Sequence, residues 1–427
     1  MENMICALPD DLLLRILLLI PTKEAFATTI LSKRWRYVST MLPELEFKYQ
    51  GSQSVGWFTD RSVQLHNALI LDSLIVELGP HCPIDVDVGK WVQNAVNRRV
   101  LVLDFKLLWT AQPTSFPKCL YTCDTLVVLI LSNEILVDVS SEARLPSLLK
   151  LSLLYVLYKD EDSLVRLLSS SPVLKYLKVE RREADNLSNF TVKVSSLQRL
   201  TYETTESKDE VDDDGSLLVI DCPALTDLAL LDVADDYCFL MENMSCLDMA
   251  YIDNVVYPDD NLISSLSSVI HLHLCFTQSM AVGCNVTNFS RLIELYFLPD
   301  VSVDWLEPFM LLLHNSPNLK TLTIDTHPGD SPPSWNQPSY VPGCLSSHLE
   351  IFRRGYCGGS EDEIQLVKYI LANSKCLKTV EISLIGTCNL EEKRKEMESL
   401  PRISTSSQLL FPTQLEWRFN GMTAFLP

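Results

Sequence analysis

The chain has 427 residues, 47% of them apolar, so it can bury a large core and is long enough for two or three folded units. Its 35 basic and 55 acidic residues give a net charge of −20, which disfavours binding to nucleic acid or to an anionic membrane. Only 13 residues are glycine, which argues against the glycine-rich loops that hold phosphates.

The N-terminal segment is predicted to form three short helices. Pro9 suits the start of the first helix, and the acids Asp10 and Asp11 favour its positive end. Pro21 ends that helix, Thr22 can cap a second one that runs to Ile30, and Ser32 can cap a third. Three helices in about forty residues make too small a core to stand alone, so the surplus leucine predicts a face that binds a partner.

The chain carries no pattern that predicts secretion or a membrane span. The apolar stretch 12–20 is too short to cross a bilayer, and Arg15 interrupts it. The 13 cysteines are scattered, which is typical of free thiols in a reducing compartment. We therefore expect a cytoplasmic or nuclear protein.

A six-residue pattern, L-x-x-L-x-L with tolerant substitutions, recurs along most of the chain. Twelve intervals separate the first occurrence at Leu71 from the last at Leu377, and they average 25.5 residues. This period is typical of leucine-rich repeats, in which each unit adds one short strand to a parallel sheet. The thirteen hexamers begin at Leu71, Val100, Leu126, Leu148, Leu174, Leu197, Leu225, Leu247, Val269, Leu292, Leu319, Leu349 and Leu377.

Several repeats also carry an amphipathic segment of helical length, which predicts helices on the convex side of an α/β solenoid. These segments are 162–171, 304–315 and 361–373, and Ser360 with Glu363 forms a capping box at the start of the last one. Two regions break the regularity. Residues 205–215 hold six acids and predict a solvated loop, and 327–343 hold five prolines and predict an irregular connector.

The N-terminal residues closely resemble the plant F-box motif. The resemblance rests on Leu8-Pro9, the break at Pro21-Thr22-Lys23, and the run Leu31-Ser32-Lys33-Arg34-Trp35-Arg36. The chain departs from the motif at Val38-Ser39, where many relatives carry Leu-Trp. Such a change is expected to loosen the third helix or to weaken the partner surface.

The resemblance extends to plant F-box/leucine-rich-repeat proteins with an FBD region. It rests on Phe116-Pro117-Lys118, on Val341-Pro342-Gly343-Cys344-Leu345 and on Leu349-Glu350-Ile351-Phe352. It implies an F-box at 5–47, a linker at 48–70, a leucine-rich-repeat solenoid at 71–330 and an FBD-like region at 331–410. The tail at 411–427 does not match the usual ending of the family.

The resemblance implies that the F-box binds a Skp-family adaptor, and through it a cullin, in a ubiquitin ligase. The residues expected to contact the adaptor are Leu8, Pro9, Ile16, Leu17, Ile20, Pro21, Ile30, Leu31 and Trp35. The solenoid would then hold a protein substrate of unknown identity.

No sequence pattern indicates catalysis, a metal site or a cofactor. The motifs G-x-G-x-x-G, G-x-x-x-x-G-K-[ST], H-E-x-x-H and G-x-S-x-G do not occur. His271 and His273 form the only close pair of histidines, they lack a third ligand nearby in sequence, and we interpret them as surface residues. We therefore expect a non-enzyme without a cofactor.

Two other functions stay open at this point. The solenoid could be an interaction scaffold unrelated to ubiquitination, or a co-receptor for a small molecule, which would need clustered Arg or Lys on the concave face. The mixture of residue types at the variable strand positions fits a protein or peptide surface better. The expected substrate-binding residues are Tyr176, Arg199, Glu203, Tyr251, Asp253, His271, His273, Glu294 and Tyr296.

Overall fold

The computed structural model describes residues 8–49, 55–80, 82, 86–109, 112–182, 185–204, 217–233, 238–255, 260–277, 280, 287–299, 304–326, 335–385 and 390–417. The chain divides into two compact units, residues 1–197 and 198–427. The predicted acidic loop lies outside the described residues, as do residues 327–334 of the proline-rich connector and 418–427 of the tail.

The first unit combines N-terminal helices with a parallel sheet. Its helices are α1 (Asp10–Leu17), α2 (Thr22–Ala27), α3 (Lys33–Ser39), α4 (Val55–Leu65), α5 (Val88–Asn97) and α6 (Glu161–Ser169). Its strands are β1 (Glu44–Phe47), β2 (Ser73–Leu78), β3 (Val102–Leu107), β4 (Thr114–Ser115), β5 (Val128–Asn133), β6 (Ile135–Val137), β7 (Lys150–Leu154), β8 (Leu157–Tyr158), β9 (Tyr176–Arg181) and β10 (Asn189–Lys193). The main sheet runs β1-β2-β3-β5-β7-β9, and β4-β6-β8 form a smaller parallel sheet.

The second unit repeats the same arrangement. Its strands are β11 (Arg199–Thr204), β12 (Leu217–Asp221), β13 (Asp227–Leu231), β14 (Cys238–Glu242), β15 (Met249–Asp253), β16 (His271–Phe276), β17 (Glu294–Pro299), β18 (Thr321–Ile324), β19 (Ile351–Cys357), β20 (Thr379–Leu384) and β21 (Gln408–Leu410). Its helices are α7 (Asp260–Ser265), α8 (Leu306–His314), α9 (Gly343–Ser347), α10 (Glu361–Asn373) and α11 (Leu390–Ser399). The main sheet runs β11-β13-β15-β16-β17-β18-β19-β20-β21, and β12 pairs with β14.

The repeat prediction is confirmed, because a strand begins two residues after the start of each of the thirteen hexamers. Leu71 precedes β2 at Ser73, for example, and Leu377 precedes β20 at Thr379. The neighbouring strands of each main sheet are parallel, and the first residue of every hexamer is at most 2% exposed. The fourth position of the hexamers is buried as well, as at Leu151, Leu177, Leu228, Leu272 and Leu322. The alternating side chains between the buried ones form a second face, which we name the open face.

The helix predictions hold with small changes of boundary. Helix α10 has the predicted bounds, and Ser360 and Glu363 form the predicted capping box. Ser32 caps α3 by accepting a hydrogen bond from the Trp35 amide. The predicted capping role of Thr22 is wrong, because its buried hydroxyl instead accepts a hydrogen bond from the Glu46 amide at 2.9 Å.

Candidate protein-interaction sites

The three N-terminal helices form a small core around Leu13, Leu17 and Trp35. These side chains are 0%, 1% and 7% exposed, so Leu17 and Trp35 support the helices from inside. Arg34 of α3 forms an ion pair with Asp10 at 2.7 Å and donates to the Leu8 carbonyl. The Leu8-Pro9 start of the motif is therefore held against the third helix.

The outer surface of these helices is unusually apolar. Leu19 is 84% exposed, Ile30 86% and Leu31 62%, and Ile16 and Ile20 are just under two-fifths exposed. Exposed apolar surface of this kind commonly marks an interaction site. We name this group of five residues the apolar patch. Of the other residues expected to contact the adaptor, Pro9 and Pro21 are exposed and Leu8 is half-buried.

The departure at Val38-Ser39 lies inside the module. Val38 is 1% exposed and Ser39 is fully buried, with its hydroxyl donating to the Arg36 carbonyl at 3.1 Å. A small residue therefore occupies this interior position of the module. The aromatic residue that α3 does present to solvent is Tyr37, which is 57% exposed.

The N-terminal helices are fixed to the first strands by a shared core, so the segment predicted as a linker is structured in part. Phe58 of α4 packs against Phe26 and Phe47, with ring centroids 6.1 and 5.9 Å apart. Strand β1 pairs with β2 in register. The buried His66 ring bonds to the Leu42 carbonyl at 2.6 Å, and burial lowers the pKa of this histidine.

In the second unit, three of the expected substrate-binding residues form an aromatic stack on the open face. Tyr251, His273 and Tyr296 occupy the same register on β15, β16 and β17. The His273 ring lies parallel to both tyrosine rings, at centroid distances of 3.9 and 4.4 Å. His273 is only 7% exposed, so our interpretation of it as a surface histidine is wrong. Burial between the rings lowers its pKa to about 3.

Carboxylates border this stack and hold the tyrosines as neutral hydrogen-bond donors. The Tyr296 hydroxyl donates to Asp325, and the Tyr251 hydroxyl donates to Asp253 at 3.4 Å. Burial and the adjacent carboxylates raise the pKa of both tyrosines. The stack therefore presents flat apolar rings and fixed polar atoms, which are features that suit the binding of a protein or peptide.

The other expected substrate-binding residues lie around the stack or in the first unit. His271 contacts Glu294 at 3.1 Å, and Arg199 lies 3.8 Å from Asp227. Arg353, on the same face, is paired with Glu381 at 3.1 Å. These guanidinium groups already have carboxylate partners, which disfavours the anion-binding pocket that a small-molecule co-receptor would need. Two further expected residues are Glu203, half-buried on β11, and Tyr176, 40% exposed on the open face of the first unit.

Two open-face residues, Asp325 and Trp417, were not predicted from the sequence. Asp325 directly follows β18, and its carboxylate accepts hydrogen bonds from Tyr296 and, at 3.1 Å, from the Trp417 indole. Its position one residue beyond the hexamer could have indicated an open-face acid. No sequence signal indicated Trp417, which contacts a residue 92 positions earlier in the chain.

The described residues contain neither a group of three potential metal ligands nor a helix long and apolar enough to cross a membrane.

The repeat of β19 contains a buried ion pair, in which Arg354 and Glu363 lie 2.9 Å apart. The pair lies beside a small cavity lined by Trp305 and Trp335, and it takes the place of apolar packing in this repeat.

Together, the repeat sheet, the helical module and the apolar patch define a leucine-rich-repeat protein with an N-terminal F-box. Family profiles support each part. The F-box domain matches residues 5–47, the LRR repeats of FBD-associated F-box protein At5g56370 match 88–244, and the FBD region matches 337–382.

Whole-chain relatives show the same domain composition. The chain is 64% identical to the Arabidopsis thaliana F-box/FBD/LRR-repeat protein At1g22000, over 99% of this chain and 94% of the relative. It is 47% identical to the FBD-associated F-box protein At1g05080 of the same plant, over 96% and 97%. It is 37% identical to F-box/FBD/LRR-repeat protein At5g56420, over 95% and 97%. The chain therefore belongs to the F-box/FBD/LRR-repeat family.

Proposed function

We propose that this protein is the substrate-recognition subunit of a Skp–cullin–F-box ubiquitin ligase. The apolar patch carries the proposal, because five large aliphatic side chains are exposed within residues 16–31, and exposed apolar surface of this kind commonly marks an interaction site. A Skp-family adaptor would cover this patch and connect the chain to a cullin. The chain itself would act without catalysis, in the cytoplasm or the nucleus.

The solenoid would hold the protein substrate through its open face. Holding a substrate lysine near a charged conjugating enzyme converts a bimolecular encounter into a local one. The shared core of Phe26, Phe47 and Phe58 supports this role, because it fixes the F-box helices to the first strands. The net charge of −20 favours a substrate with a basic patch, since complementary charge raises the association rate.

A binding experiment with purified Skp-family adaptor tests the first half of the proposal. Ile30→Glu with Leu31→Glu places two charges in the apolar patch, and we expect at least a tenfold loss of affinity, equivalent to about 1.4 kcal/mol. The pair Leu8→Ala and Pro9→Ala is expected to weaken binding as well. Val165→Glu, at an exposed apolar position on α6, is the matched control and should bind like the wild type. Wild-type affinity in both double variants, or no binding by the wild type, would refute the proposal.

Affinity purification with the proteasome inhibited tests the substrate role of the open face. Reversing the charges of Glu203, Asp253 and Glu294 should reduce capture of specific proteins without changing adaptor binding. The matched control reverses three exposed acids on helices, namely Asp162, Glu392 and Glu396. Equal capture by the two triple variants would mean that the acids of the open face do not bind the substrate.

A further inference from the structure

The chain places its own tryptophan in a recess on the open face of the second unit. Trp417 is 5% exposed, whereas the four residues before it are exposed, with Leu415 at 71%. Its indole nitrogen donates to the Asp325 carboxylate at 3.1 Å. Buried aromatic side chains commonly anchor one protein segment in a groove of another.

The recess is built around Asp325, which is 5% exposed. One carboxylate oxygen accepts hydrogen bonds from the Tyr296 hydroxyl and from the indole, and the other accepts from the Thr326 amide at 3.0 Å. The absence of a side chain at Gly355 makes room for the ring. A Cβ atom there would lie 2.6 Å from the indole nitrogen and 2.1 Å from Asp325 Oδ1.

The segment that carries Trp417 forms most of its other described contacts within itself. Thr413 and Glu416 close one helical turn, with the Thr413 amide donating to the Glu416 carboxylate at 2.8 Å. Phe411 lies under the Arg394 guanidinium, 5.0 Å from ring centroid to Cζ. The turn is thus locally stabilised, and Trp417 is its one deeply buried side chain.

We propose that the recess formed by Tyr296, Asp325 and Gly355 is a binding site for a tryptophan of a partner's peptide segment, and that Trp417 fills it as a displaceable internal ligand. Among apolar side chains, the indole combines a large flat ring with the N–H donor that Asp325 accepts. The stack of Tyr251, His273 and Tyr296 continues from the recess and offers rings to the residues flanking that tryptophan. Assigning the partner as a ubiquitination substrate rests on the proposed function, whereas the recess itself does not.

A fluorescent peptide with the sequence of residues 411–417, FPTQLEW, tests the site in the full-length chain by fluorescence anisotropy. We expect Trp417→Ala to bind the peptide at least tenfold more tightly than the wild type, since the tethered Trp417 competes at high effective concentration. Adding Asp325→Asn or Gly355→Ala to that variant should abolish binding. A peptide with phenylalanine in place of tryptophan should bind at least tenfold more weakly, and a lysine peptide that binds equally well would identify a cation site instead.

Trp417→Phe provides a second variant, because it keeps an aromatic ring in the recess and removes the N–H donor together with the five-membered part of the indole. It should unfold at the wild-type temperature within a few degrees and still bind the tryptophan peptide more tightly than the wild type. If neither variant binds the peptide, or if both unfold, Trp417 is a structural plug and the proposal is wrong. Adaptor affinity is measured separately, so its loss would overturn the ligase role without affecting the recess.

Discussion

The ring of Phe58 in α4 meets the ring of Phe26 in α2 edge to face, with centroids 6.1 Å apart. Phe47, at the end of β1, contacts the same Phe58 ring from 5.9 Å. A helix outside the F-box motif, a helix inside it and the first strand of the sheet therefore share one core. The packing of these three rings therefore fixes the orientation of the F-box helices on the first strands.

Replacing Phe58 with alanine should loosen this junction. Phe58 is half-buried, so we expect the loss of two edge-to-face contacts and of apolar burial to cost about 1–3 kcal/mol of unfolding free energy. Urea unfolding measures the change. Trp57→Ala removes the exposed neighbouring side chain, 72% exposed, and should change stability by less than about 0.5 kcal/mol. Equal effects of the two changes would contradict a shared core at Phe58.

Truncating Leu177 to alanine should destabilise the repeat of β9. This leucine is 2% exposed at the fourth position of its hexamer, and such a cavity costs about 2–5 kcal/mol. Native-state hydrogen exchange of the β7 and β9 amides is the appropriate measurement, because repeats can open locally. Lys175→Ala, at an exposed position in the same repeat, is the control. Unchanged protection in the leucine variant would place this residue outside the core.

The period of the leucines predicted the sheet well because every repeat must bury the same three positions. Strand β1 was nevertheless not predicted, although Leu42, Leu45 and Phe47 follow the same hexamer and are all buried. That hexamer lies at the end of the F-box motif, so its residues were assigned to the F-box and not to a repeat. The burial of Arg354 was also not predicted from the repeat pattern. This residue is 1% exposed and occupies the sixth position of its hexamer, whereas the other twelve hexamers have an apolar or aromatic side chain there.

The candidate sites were less predictable, because they depend on contacts between distant residues. Nothing local indicates that Trp417 reaches Asp325, or that two tyrosines enclose His273. The exposure of Ile30 and Leu31, in contrast, follows from their position at the end of a short helical segment. Register aligns open-face side chains across strands, but sequence alone does not show which of them stack.

Removing one partner of the buried ion pair Arg354–Glu363 should be strongly destabilising. Glu363→Gln leaves the Arg354 guanidinium buried without a compensating charge, which typically costs about 3–5 kcal/mol. Urea unfolding of the single variants and of Arg354→Met with Glu363→Gln completes a double-mutant cycle. The double variant should lose less stability than the sum of the two single variants. Glu361→Gln, at an exposed position of the same helix turn, is the control, and additive effects would mean that the pair is not coupled.

The pH dependence of stability should reveal the buried state of His273. Its pKa is lowered to about 3 in the folded chain, so between pH 6.5 and 3 the unfolded chain binds a proton that the folded chain excludes. The contribution of neutral His273 to the unfolding free energy is therefore fully present above about pH 6.5, and it is lost as the pH falls from 6.5 towards 3. His273→Phe keeps a ring between Tyr251 and Tyr296 and removes the titration. Between pH 7 and pH 5, the wild type should lose about 2 kcal/mol of unfolding free energy relative to this variant, as measured by urea unfolding. Identical pH profiles would show that His273 is protonated as readily in the folded chain as in the unfolded one, and the stack would then be an open surface.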